Sequence, residues 1–90
     1  MKKITFSIII VCKDAGEKLG KTVRSVLAQS YPQYEIIVKD GMSTDGSVDR
    51  LPGDKKIRVV RQKDRGIYDA MNQAIVLAEG DYLLFLNCGD

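Results

Sequence analysis

The stretch Ile4-Thr5-Phe6-Ser7-Ile8-Ile9-Ile10-Val11 is β-branched and almost continuously apolar. A strand with one wet face alternates apolar and polar side chains, whereas a strand covered on both faces reads as an unbroken run. Tyr34 to Val38 and Tyr82 to Leu86 have the same character. Strands of this kind belong to parallel sheets, because the crossover connections of such sheets lay helices over both faces. A chain that folds this way must place helices between its strands.

The intervening segments meet that demand. From about Gly16 to Ser30, residues Leu19, Val23, Val26 and Leu27 fall at i, i+4, i+7 and i+8, one apolar stripe. Asp14 reads as the N-cap of this helix, and Tyr31-Pro32 ends it, since the residue before proline is pushed out of the helical region. Ser47 to Leu51 reads as a short helix capped by Asp45, followed by a Pro52-Gly53-Asp54 turn. Ile57 to Arg61 is a brief third strand among Lys55, Lys56, Arg58, Arg61 and Lys63. Gly66 to Glu79 reads as a helix with Ile67, Met71, Ala74, Ile75 and Ala78 on one face, stopped by Gly80 at C′. Asp81 then leads into the fourth strand. The order βαβ(α)βαβ predicts a single α/β domain, a three-layer parallel sheet of Rossmann-like type between helices.

Composition narrows the function. A net charge of +2 over 90 residues is too small to argue for nucleic acid as a partner. With no histidine, a His-based metal site or catalytic triad is excluded. Cys12 and Cys88 do not make a disulfide scaffold; neighbouring parallel strands seldom present disulfide geometry, so both read as free thiols. Lys2-Lys3 before an apolar run imitates a signal peptide, but the run is short and Lys13-Asp14 follows without a small-residue cleavage site. No segment approaches the roughly 20 apolar residues of a membrane span, and the chain is expected in the cytoplasm.

Polar residues gather where the strands end: Lys13-Asp14, Asp40 through Ser47, and Asn87 through Asp90. In a parallel sheet these ends share one rim, the place where open α/β sheets bind ligands. Asp14, Asp40 and Asp90 can converge there, and carboxylates so placed suit a nucleotide with Mg²⁺ or Mn²⁺ on its diphosphate. For Asp14, capping is a sufficient explanation. The basic stretch Lys55 to Arg65 reads either as a charged guard on an edge strand or as a phosphate patch. Arg65, in the loop opening a helix, is placed to neutralise phosphate. Asp40 to Ser47 lacks the alternating oxygen ligands and terminal Glu of an EF-hand. No dinucleotide fingerprint or P-loop lysine pattern occurs.

The blocks Ser7-Ile8-Ile9-Ile10, Ser25 to Val38, Asp40 to Ser47, Lys63 to Asn72, Gly80-Asp81-Tyr82 and Leu86 to Asp90 resemble, in order and spacing, the family 2 glycosyltransferases. The resemblance covers essentially the whole chain. It implies the N-terminal, nucleotide-binding half of a GT-A fold, with strand order 3-2-1-4. It further implies inverting sugar transfer from a nucleotide-diphosphate sugar, UDP-sugars favoured, to a glycan or lipid-linked acceptor, in surface polysaccharide assembly and possible only in a longer protein at the membrane periphery. Val11, Cys12 and Lys13 would line the nucleotide pocket, Asp40 would contact the base, and Asp64 and Arg65 would help form the donor pocket. Asp90 would match the last acid of the family's metal motif, holding Mn²⁺ or Mg²⁺, and Asn87 would offer a further oxygen. Three positions depart from the pattern. Lys13 replaces an aromatic residue common in relatives, Gly41 the second acid of an Asp-Asp-Gly-Ser motif, and Gly89 the penultimate acid of the metal motif.

The resemblance places the acceptor half and the catalytic-base Asp downstream of Asp90, so the 90 residues are expected to bind nucleotide weakly without turnover. The rival expectation is a non-catalytic interaction module. Its fourth strand, Tyr82 to Leu86, would be an unpaired apolar edge able to form a homodimer.

Overall fold

The computed structural model describes residues 4–88, with Asn87 through its backbone alone. Four strands, β1 (Phe6–Cys12), β2 (Tyr34–Asp40), β3 (Ile57–Arg61) and β4 (Tyr82–Asn87), form one all-parallel sheet in the order 3-2-1-4. This is the expected order. β1 and β2, with neighbours on both sides, contain Ile9, Ile10, Ile36, Ile37 and Val38, all fully buried. Their unbroken apolar runs are thus explained by cover on both faces.

The pleat sorts those residues between two cores. Ile8, Ile10, Ile36 and Val38 point to one face, where α1 (Glu17–Leu27) lays down Leu19, Val23 and Val26. Ile9 and Ile37 point to the other, against Ala74 of α2 (Ile67–Ile75). The small alanine contact brings α2 close to the sheet, which completes the three layers.

Both helices are shorter than their periodicity suggests. α1 stops at Leu27, and the Gln29 side chain then satisfies the Tyr31 N–H and C=O ahead of Pro32. α2 stops at Ile75, and the Leu77 and Ala78 N–H groups bond the Ala74 and Ile75 carbonyls in tight turns before the chain reaches the sheet. The Glu79 N–H donates to the Glu35 carboxylate at 2.7 Å, and the Gly80 N–H donates to Ser7 Oγ at 2.8 Å. Gly80 is therefore no C′ glycine in left-handed conformation. It is small because a Cβ there would stand 2.6 Å from Ser7 Oγ and 2.7 Å from Ser7 N.

Glu35 organises this end of the sheet. It also accepts from the Ser7 hydroxyl at 2.6 Å and faces Arg58 at 3.5 Å. Burial pushes its carboxyl up, but the Ser7 and Glu79 hydrogen bonds and the Arg58 charge outweigh that and hold it below the ordinary carboxylate range.

No strand pairs with the outer edge of β4 among the described residues. Tyr82, Leu83, Leu84 and Phe85 are 40–57% exposed. Beside them Leu84 and Leu86 join Phe6, Ile8, Val26 and Tyr31 around an apolar groove of about 350 Å³. At the opposite edge, β3 exposes Arg58, Val59 and Arg61, with Ile57 and Val60 half-buried. That is the charged edge strand expected from its composition.

Candidate functional site at the carboxyl rim

A cavity of about 450 Å³ opens where β1 and β4 end. Val11, Cys12 and Lys13 form one wall, Asp64, Gly66 and Ile67 another, and Cys88 a third, with Asp14, Ala15 and Lys18 closing the α1 side. Four residues singled out from the sequence, Val11, Cys12, Lys13 and Asp64, thus meet in one space. Gly66 helps shape it: its φ of 129° is a conformation other residues rarely adopt, and it turns the chain from the wall into α2.

Asp14 is not a helix cap. Gly16 holds the N-cap position of α1, and Asp14 has a left-handed φ of 48° that aspartate tolerates. Its carboxylate accepts the Thr44 N–H at 2.7 Å, and its own N–H donates to Ser43 Oγ at 2.7 Å. Asp45 then accepts the Gly16 N–H at 2.9 Å and the Ser47 N–H at 3.0 Å. The loop after β1 and the loop after β2 are stitched together by these bonds. The polar residues of Asp40 to Ser47 therefore shape the rim. The expected cap of the 48–50 turn is Asp45; the N-cap position is held instead by Ser47, with no side-chain cap bond, and Asp45 accepts the Ser47 N–H.

Asp40 lies beneath the cavity rather than on its wall. It is fully buried, beside Cys12 in the β1–β2 register. Arg61 Nε donates to it at 3.1 Å, the Ser43 N–H donates at 3.1 Å, and the Ser43 hydroxyl bonds it as well. Arg61 also donates to the Ser43 carbonyl at 2.8 Å, so it clamps both ends of the turn. Arg65 is exposed and is not among the lining residues; its N–H donates to Asp69 at 2.9 Å. The backbone of Asn87 pairs with Val11 at the rim. Asp90, the expected metal ligand, lies outside the described residues.

Burial, then the Asp40 charge, pushes the Cys12 thiol up to about 12, and burial raises Cys88. Both are free thiols, as expected, and as neutral groups they offer an apolar wall rather than a nucleophile.

One further residue escaped the sequence reading. Lys39 is fully buried, and its Nζ donates to Asp64 Oδ2 at 3.1 Å, to the Asp40 carbonyl at 3.3 Å and to the Gln62 carbonyl. Its only sequence signal is a lone cation in an apolar run, next to an acid. Burial pushes the Asp64 carboxyl up, yet the Lys39 and Gly66 hydrogen bonds and the Lys39 and Lys13 charges hold it below the ordinary carboxylate range.

Among the described residues no three or more Cys, Asp or Glu side chains are grouped to hold a metal. No described helix is long and apolar enough to cross a membrane.

The family model for glycosyl transferase family 2 matches residues 7–88. A PGL/p-HBAD biosynthesis glycosyltransferase of Mycobacterium bovis is 36% identical over 91 residues, covering 94% of this chain and 35% of the relative. The UDP-Glc:alpha-D-GlcNAc-diphosphoundecaprenol beta-1,3-glucosyltransferase WfaP of Escherichia coli is 36% identical over 87 residues, covering 93% and 35%. The chain thus spans about a third of the length of these relatives. Among solved structures, the mannosyltransferase PcManGT of Pyrobaculum calidifontis, in complex with GDP-Man and Mn²⁺, superposes with a TM-score of 0.86 at 23% identity over 96% of this chain and 28% of that one. At that identity the match speaks for the fold, which is GT-A.

Proposed function

The chain belongs to glycosyl transferase family 2, and on that footing we propose that it forms the nucleotide-sugar-binding part of an inverting GT-A transferase. The carrying observation is the rim cavity, where Val11, Cys12 and Lys13 from one segment meet Asp64 from another. In this reading the neutral Cys12 and Cys88 walls accept the flat face of a base. Lys13 and Lys18 offer positive charge to the diphosphate, with Arg65 at the outer margin. Asp64, held ionised, accepts a ribose or sugar hydroxyl. Asp40 acts from below by fixing the turn that carries the rim. Asp90 would hold Mn²⁺ or Mg²⁺, which supplies charge stabilisation for the departing diphosphate. A UDP-sugar is the favoured donor and a glycan or lipid-linked hydroxyl the acceptor, in the cytoplasm. The 90 residues alone bind weakly and do not turn over.

Calorimetry with UDP and Mn²⁺ tests this. Heat of binding is expected, and it should vanish on chelation and on Asp90→Ala. Absence of binding in Mn²⁺, or binding indifferent to both changes, would sink the reading.

The exposed apolar residues of β4 favour a second property, self-association of the chain through that edge. Light scattering is expected to show a dimer that Leu84→Lys returns to monomer. A monomer at all concentrations excludes it.

A further inference from the structure

Lys39 follows Glu35 and Ile37 on one face of β2, and Ile37, two residues earlier, sits in the α2-side core. A buried ammonium is costly unless each N–H has an acceptor. Here three acceptors match its three donors: the Asp40 carbonyl of its own strand, the Gln62 carbonyl just beyond β3, and the Asp64 carboxylate on the cavity wall. The two carbonyls alone would be served by a neutral donor. The charge is required only by Asp64.

A second observation fixes where Asp64 goes. A Cβ added at Gly41 would stand 3.0 Å from Asp64 Oδ2 and 3.6 Å from the Lys13 Cβ. The carboxylate is therefore packed over the bare backbone of Gly41, between Lys39 below and the Lys13 wall. Its other oxygen accepts the Gly66 N–H at 3.2 Å, which ties the start of α2 to the same point. We propose that Lys39 is a positioning residue for the donor site, pinning Asp64 and the 62–66 segment onto the cavity wall so that an ionised carboxylate faces the bound nucleotide sugar. The inference rests on the reading of the cavity as the donor site. It assigns Gly41 the role of leaving room for Asp64.

The test combines two readouts on the full chain. Carboxyl ¹³C NMR follows the titration of Asp64, whose facing groups are Lys39 from β2, Lys13 from the β1–α1 loop and the Gly66 N–H. In Lys39→Met the Asp64 midpoint should move up. In parallel, the affinity for UDP with Mn²⁺ should fall about tenfold in Lys39→Met, the effect of losing one charge-assisted hydrogen bond. In an Asp64→Asn background, Lys39→Met should change affinity less than about twofold, because the interaction it supported is already gone. A merely structural lysine would weaken binding equally in both backgrounds. If Lys39→Met melts below the assay temperature, Lys39→Gln keeps two donors without the charge and should show the same pattern. A folded Lys39 variant with unchanged Asp64 titration and unchanged affinity overturns the inference while leaving the donor site standing. Wild-type chain that binds no nucleotide overturns both.

Discussion

Asp40→Ala is expected to lower stability by about 3 kcal/mol, a large share of the roughly 5–10 kcal/mol that a chain of this size has in total. Asp40 is fully buried and accepts hydrogen bonds from Arg61, the Ser43 N–H and the Ser43 hydroxyl. Alanine strands the Ser43 donors in a dry site and leaves space where the carboxylate was. Arg61, 45% exposed, can turn its charge to water, which keeps the loss below that of a fully buried ion pair. Asp40→Asn preserves the shape and should cost about half as much, since one amide hydrogen must then face a donor. Urea denaturation measures both. A change below about 1 kcal/mol for Asp40→Ala would show that the turn does not depend on this carboxylate.

Gly80→Ala should be comparably damaging for a different reason. The new Cβ would lie 2.7 Å from Ser7 N and 2.9 Å from Phe6 C, backbone atoms of the central strand that cannot step aside. Separating the α2–β4 connection from β1 would also break the Gly80–Ser7 hydrogen bond and disturb the Glu79–Glu35 bond beside it. Overpacking of this kind costs roughly 1–3 kcal/mol before the hydrogen bonds are counted. A fall in Tm on the order of 10 °C or more is expected. Ser7→Ala should not rescue it, because two of the three crowding atoms are backbone. A Tm within about 3 °C of wild type, or full rescue by Ser7→Ala, would contradict this reading of Gly80.

The sheet was legible because its signal is chemical and local. Ile8 to Val11 and Ile36 to Val38 are apolar without alternation, and only double cover explains that. The positions of the strand ends followed, and with them the rim that gathers Val11, Cys12, Lys13 and Asp64. The helix ends were not legible, since beyond Ile75 the chain turns towards Glu35 and Ser7, far away in sequence, which capture the Glu79 and Gly80 amides. Asp14 looked like a cap because spacing cannot show that its best partner is Thr44, thirty positions on. Arg61 looked like edge-strand charge and Lys39 went unread; their partners Asp40 and Asp64 meet them only once β2, β3 and the following loop are assembled.

Whether the rim holds a nucleotide is most directly read from residue-resolved amide shifts as UDP and Mg²⁺ are added. The perturbations are expected at Val11 to Ala15, at Asp64 to Ile67 and at Cys88, with Phe6, Tyr31 and Tyr82 at the other end of the sheet unmoved. Shifts confined to the β4 edge and its apolar groove, or no shifts at saturating nucleotide, would contradict the assignment of the cavity as the donor site.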